Sequence, residues 1–186
     1  MKYAYAIRAM KGQIVCGDAV FIRDDPGRTL FAVIDGLGHG SGAKESASRA
    51  VETLAASTET DSPVALLDKC HIALRGMRGA AAAILSISGT AGLFAGIGNI
   101  EVSSKSQNKL NMLSYPGIVG RKIRKSREFE FVVTKGDVIA VFSDGITKRM
   151  SLDSVNSPDT LQDRADSLLK EYGRDHDDCT LLLIYV

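Results

Sequence analysis

Leu30-Phe31-Ala32-Val33-Ile34-Asp35-Gly36-Leu37-Gly38-His39-Gly40 is the stretch from which the rest of the chain can be read. Its first five residues form the short apolar run expected of a buried strand. The run ends in a carboxylate where the chain turns sharply. Three glycines in the six residues from Asp35 let the backbone come close to whatever that carboxylate holds. Helix-compatible sequence resumes at Ser41, so the partial positive charge of a helix N-terminus is expected at the same spot. Carboxylate, exposed backbone and positive helix end suit a metal-bound phosphate. Ser143-Asp144-Gly145 repeats the arrangement after a second apolar run, Val138 to Phe142.

Strand patterns are expected at Tyr3 to Ala9, Ile14 to Ile22 and Leu30 to Ile34, before helices at Ser41 to Ser57 and Pro63 to Met77. In the first helix Ala43, Ala47, Ala50, Val51 and Leu54 share one apolar face. The second has Pro63 at its first position and Asp61-Ser62 as cap. A hairpin, Gly79 to Val102, without charge from Gly79 to Asn99, turns at Ser88-Gly89-Thr90. Its uncharged part approaches the length of a membrane span, but it is rich in Ala and Gly and broken by hydroxyl residues, so two buried strands explain it better. Strands near Lys109 to Leu113, Phe129 to Val133 and Val138 to Phe142 precede a helix at Pro158 to Tyr172 and a strand at Thr180 to Val186. Hairpin-like connections dominate, which predicts an α+β fold of mostly antiparallel sheets with helices outside them, in one domain over residues 1–186.

Composition excludes several function classes. With 24% charged residues and a formal net charge of +1, the chain gives no global reason to expect a nucleic acid or a membrane surface as partner. No signal peptide is expected, because Arg8 and Lys11 precede any useful apolar stretch. Cys16, Cys70 and Cys179 lack CxxC spacing, which points to a reduced cytoplasmic compartment and away from a zinc site.

Four acidic positions fall at strand edges: Asp18 after Cys16-Gly17, Asp35, Asp144, and the Asp177-Asp178 pair before the last strand. Clustered carboxylates are what Mg²⁺ or Mn²⁺ prefer, and two such ions can clamp a phosphoryl group and activate a water. Each aspartate alone reads as a turn or a solvated strand end. Four together, two of them Asp-Gly directly after buried strands, read as a site.

Gly17-Asp18, Asp35 to Gly40, Gly96-Ile97-Gly98-Asn99-Ile100, Ser143-Asp144-Gly145 and Asp177-Asp178-Cys179-Thr180 follow one another in an order that resembles the metal-dependent (PPM, type 2C) serine/threonine protein phosphatases. The Gly-Leu-Gly-His-Gly form is similar to the bacterial SpoIIE-like branch. The resemblance implies an αββα sandwich with two metals, Mn²⁺ or Mg²⁺, at one end. It implies that Asp35 bridges both metals, that the Gly36 carbonyl binds one, and that Asp144 and Asp177 complete the other. Asp18 is expected to hold a metal-bound water or a ligand from nearby, Asp178 to act from behind the ligands, and Gly98-Asn99 to be a structural turn. It also implies a phosphoserine or phosphothreonine substrate on a stressosome or STAS-domain regulator. A monomer is expected.

In the animal enzymes His-Gly follows Asp-Gly directly, whereas His39 lies two residues later, so either a general-acid or a structural role is open to it. The arginine those enzymes use to grip phosphate has only Arg8 and Lys11 as counterparts, and that role stays unassigned. The basic run Arg121 to Arg127 reads as a solvated hairpin end or as a docking patch for an acidic phosphoprotein. The competing function is a metal-free binding module of the same fold, whose signature would be a substituted aspartate.

Overall fold

In the computed structural model, which describes residues 1–186, strands β1 (Lys2–Arg8), β2 (Asp18–Asp25) and β3 (Arg28–Gly36) precede helices α1 (Ser41–Ala55) and α2 (Pro63–Ala73). Then come β4 (Ala80–Ser88), β5 (Ala91–Ile97) and β6 (Glu101–Lys105). Three two-residue strands follow: β7 (Ser114–Tyr115), β8 (Gly117–Ile118) and β9 (Lys122–Ile123). After β10 (Phe129–Val132) and β11 (Val138–Phe142), a 3-10 turn at Pro158–Thr160 leads into α3 (Leu161–Tyr172), and β12 (Cys179–Tyr185) is the last element.

The alternation within β3 sets the layers. Leu30, Ala32 and Ile34 pack on Ala47, Ala50 and Leu54 of α1 and on Leu66 and Cys70 of α2. Phe31 and Val33 point the other way, into Ile139, Val141, Leu182 and Ile184 of a second sheet. That second sheet has the order β1-β12-β11-β6, and its far face is covered by α3 through Leu161, Ala165 and Leu168. The first has the order β10-β5-β4-β3-β2, with β7 running parallel beside β5. The result is the αββα sandwich, with antiparallel pairing everywhere else.

Several boundaries differ from the sequence expectation. Strand β2 starts at Asp18 rather than Ile14, whose side chain is fully exposed. Lys109 to Leu113 is not a strand: Met112 is buried between the sheets, but its N–H bonds to the Leu110 carbonyl two residues back, so burial comes without a ladder. The uncharged hairpin is β4–β5 alone, and Val102 already belongs to β6 in the other sheet. The chain therefore crosses between sheets at Gly98–Asn99. The second helix ends at Ala73, and its Ser62 hydroxyl accepts from the Ala65 N–H with Pro63 in the first turn, as its sequence predicts. No helix is long and apolar enough to cross a membrane.

Candidate functional site

Register brings the carboxylates together. Asp18, first in β2, pairs directly with Asp35 near the end of β3. In the other sheet, Phe142 of β11 pairs with Leu181 of β12, so Asp144 just after β11 and Asp177 just before β12 leave that sheet at the same end. Both aspartates that precede a glycine do so for a steric reason. A Cβ on Gly36 would fall on the Ala43 backbone in the first turn of α1, and a Cβ on Gly145 would fall on the Asp178 carbonyl. Neither glycine has a positive φ; close approach alone excludes a side chain.

A cleft of about 240 Å³ opens there, lined by Asp35, Asp144, Asp177, His39 and Asn99 over the backbone of Gly38, Gly117 and Ile118. Asp18 and Gly36 lie behind this surface, both buried. Asp178 is almost fully buried and acts as a tie, with one carboxylate oxygen accepting from the Met10 N–H at 2.8 Å and the other from the Gly17 N–H at 2.9 Å. Asp177 faces the cleft and also accepts from the Asp178 N–H at 3.0 Å.

The neighbouring residues hold the carboxylates in place. The Ser143 hydroxyl donates to Asp18 at 2.7 Å and accepts from the Thr180 N–H at 3.0 Å. The Asn99 side-chain amide donates to Asp144 at 2.5 Å. Asn99 thus belongs to the site, not merely to a turn; the crossing between sheets delivers it, which no local pattern announces.

No cation of the protein pairs with Asp18, Asp35, Asp144, Asp177 or Asp178. Burial, followed by the charges of Asp18, Asp144 and Asp177, pushes Asp35 up to about 9. Burial likewise raises Asp18 to about 7, against the opposing Ser143 hydrogen bond. Asp177 is raised by burial and then by Asp144. The Thr180 hydroxyl stays buried without a hydrogen-bond partner. A cleft of uncompensated carboxylate oxygens is the donor set a hard divalent cation takes. Cys16 also approaches Asp18 and Asp178, but burial pushes its thiol up to about 12, so it is no ligand for such a cation.

Neither sequence candidate for gripping phosphate reaches the cleft. Arg8 donates to the Arg174 carbonyl, and both Arg8 and Lys11 pair with Asp175. Arg78 was not legible from its position. Its guanidinium donates to the His39 carbonyl at 3.2 Å and lies across Gly42, beside the loop that carries Gly38 and His39 into the cleft. His71 accepts from the Gly120 N–H and is structural. Cys70 is buried with its thiol pushed up to about 12, so it offers no activated nucleophile.

The profile described as Stage II sporulation protein E (SpoIIE) matches residues 25–186. Phosphoserine phosphatase RsbX of Bacillus subtilis (strain 168) is 27% identical over 177 residues, covering 93% of this chain and 88% of that protein. A chain solved in work on the bacterial stressosome, described as a modular system adapted to control secondary messenger signalling, is 29% identical with a TM-score of 0.88, over 98% of this chain and 97% of that one. RsbX crystallised with magnesium has a TM-score of 0.83 at 24% identity, over 97% and 92% of the two chains, which speaks for the fold.

Proposed function

The chain belongs to the SpoIIE family, and on that premise we propose that this serine/threonine phosphatase is Mn²⁺- or Mg²⁺-dependent and acts in the cytoplasm on a phosphoserine or phosphothreonine of a stressosome or STAS-domain regulator. The observation that carries the reading is the cleft itself: Asp35, Asp144 and Asp177 line one wall-to-wall acidic surface with no internal cation. All positions being acidic argues against a metal-free binding module. The substrate class is supported by the likeness to phosphoserine phosphatase RsbX and to a chain of the stressosome.

Asp35, the Gly36 carbonyl, Asp144 and Asp177 would hold two ions, with Asp18 supporting from behind Asp35. Bound there, the ions supply charge neutralisation at the phosphoryl oxygens and lower the pKa of the attacking water. The chain's residues do the positioning. Asn99 fixes the rotamer of Asp144, and Ser143 fixes that of Asp18. Asp178 pins the loop at Gly17 against the start of β12. Arg78 holds the Gly38–His39 loop at the edge of the cleft through the His39 carbonyl. His39, the imidazole lining the cleft, can return a proton to the departing serine oxygen.

The test is release of phosphate from a phosphoserine-bearing STAS-domain protein and from p-nitrophenyl phosphate. Turnover is expected with Mn²⁺ or Mg²⁺, to vanish in excess EDTA, and to survive thiol blockers. Arg78→Ala is expected to raise KM for the aryl phosphate more than it lowers kcat. Full turnover in excess EDTA would refute the reading.

A further inference from the structure

The basic run Arg121 to Arg127 does not end in open solvent. Its start pairs as β9 with β8, and Lys122, Arg124 and Lys125 form one side of a second, larger cavity, of about 540 Å³. Tyr115, Pro116 and Ile118 make its apolar floor, and Lys122, Arg124 and Lys125 make its rim. All three rim cations are exposed, and none pairs with a carboxylate of the protein. Glu128, the nearest acidic residue along the chain, is occupied by the Val64 N–H. The floor is held by its own packing: Tyr115 stacks on Phe129 at 6.1 Å, with the Lys125 ammonium 5.9 Å from the Tyr115 ring centre. Gly117 and Ile118 line both this groove and the carboxylate cleft, so the two adjoin.

We propose that this groove binds the polypeptide flanking the phosphorylated residue of the substrate, and that it selects an acidic segment carrying an apolar side chain. The inference rests on the phosphatase reading and adds to it a substrate sequence preference. Charge complementarity names the acid: three unpaired cations stand on a chain whose net charge is only +1, so the positive field is local. The apolar floor names the second feature, since a half-buried aromatic and an exposed proline beside a cationic rim give an apolar side chain somewhere to be covered. Adjacency to the cleft across Gly117 and Ile118 names the position: a segment next to the phosphoserine lies at the groove once the phosphate is seated. The smaller cleft holds the phosphorylated side chain, and the larger groove takes its neighbours.

Two synthetic phosphoserine peptides test this, one flanked by Asp, Glu and Leu, the other with Asn and Gln in place of the acids. The wild-type protein with Mn²⁺ is expected to prefer the acidic peptide about tenfold in kcat/KM, mostly through KM, the size expected for three partly solvated charge pairs. The triple variant Lys122→Glu, Arg124→Glu, Lys125→Glu is expected to lose or invert that preference while hydrolysing p-nitrophenyl phosphate like the wild type. Lys122→Gln, Arg124→Gln, Lys125→Gln is expected to fall between, which guards against a misfolded triple variant. Equal use of both peptides by the wild type, or an unchanged preference in both variants, would overturn the proposal. Absence of Mn²⁺-dependent aryl phosphate turnover in the wild type would strike the phosphatase reading itself and remove the groove's role with it.

Discussion

Asp35→Asn is expected to lower kcat on p-nitrophenyl phosphate by about three orders of magnitude or more at saturating Mn²⁺, a loss on the order of 4 kcal/mol. Asp35 sits in the cleft, opposite Asp18 in the β2–β3 ladder and facing Asp144 and Asp177 across it. In its proposed bridging position, removing one charge loosens both ions and the water between them. The same substitution is expected to leave the metal-free fold intact or more stable, because a buried carboxyl raised by burial and by four neighbouring charges is replaced by a neutral amide of equal size. Opposite signs for activity and stability separate this outcome from simple misfolding. An unchanged kcat would remove Asp35 from the site.

The second large effect is expected from adjacent residues. Asp177 faces the cleft while Asp178 points into the protein. Asp177→Asn is expected to weaken Mn²⁺ binding by roughly a hundredfold or more and to abolish most turnover, with little change in the stability of the metal-free protein. Asp178→Asn behaves differently from what its sequence position alone suggests. Both oxygens of Asp178 accept from backbone N–H groups of Met10 and Gly17, and an amide nitrogen in place of one oxygen sets donor against donor. The expected cost is about 1–3 kcal/mol of stability, a drop in Tm of roughly 5 °C, with Mn²⁺ affinity changed less than tenfold. A side-by-side metal titration and melting curve checks both, and the reverse ranking would mean that the ligand at the start of β12 is misassigned by one residue.

The two Asp-Gly turns were legible because each combines a short continuous apolar run with a glycine that another backbone must touch. Asp35-Gly36 and Asp144-Gly145 announce themselves, and the layered α+β fold follows from the buried runs on either side of them. Features that depend on where distant segments meet were not legible. Asn99 reaches Asp144 because the chain changes sheets at that point. Arg78 reaches the His39 loop because the residues before β4 cross the start of α1. Lys109 to Leu113 misled in the other direction: the alternation of Leu110 and Met112 reports burial, and burial there is achieved by a loop without strand partners. The groove floor joins Tyr115 to Phe129 across the basic run, a contact that sequence spacing does not suggest.

A carboxylate cleft proposed to hold divalent cations makes the stabilisation by Mn²⁺ depend on pH. Asp35 and Asp18 are raised in the folded, metal-free protein to about 9 and about 7, whereas an unfolded chain titrates them near 4. The folded state therefore holds protons that the unfolded state has released. The stability these groups contribute is full below pH 4 and is lost progressively as pH rises from about 4 through about 9. A cation bound among them removes that penalty, so its stabilisation must grow with pH. Melting curves at pH 6 and pH 8, with and without saturating Mn²⁺, are expected to show a gain of several degrees that is larger at pH 8, and a much smaller gain in Asp35→Asn. A wild-type Tm indifferent to Mn²⁺ and Mg²⁺ at pH 8, or an equal gain in Asp35→Asn, would contradict the account.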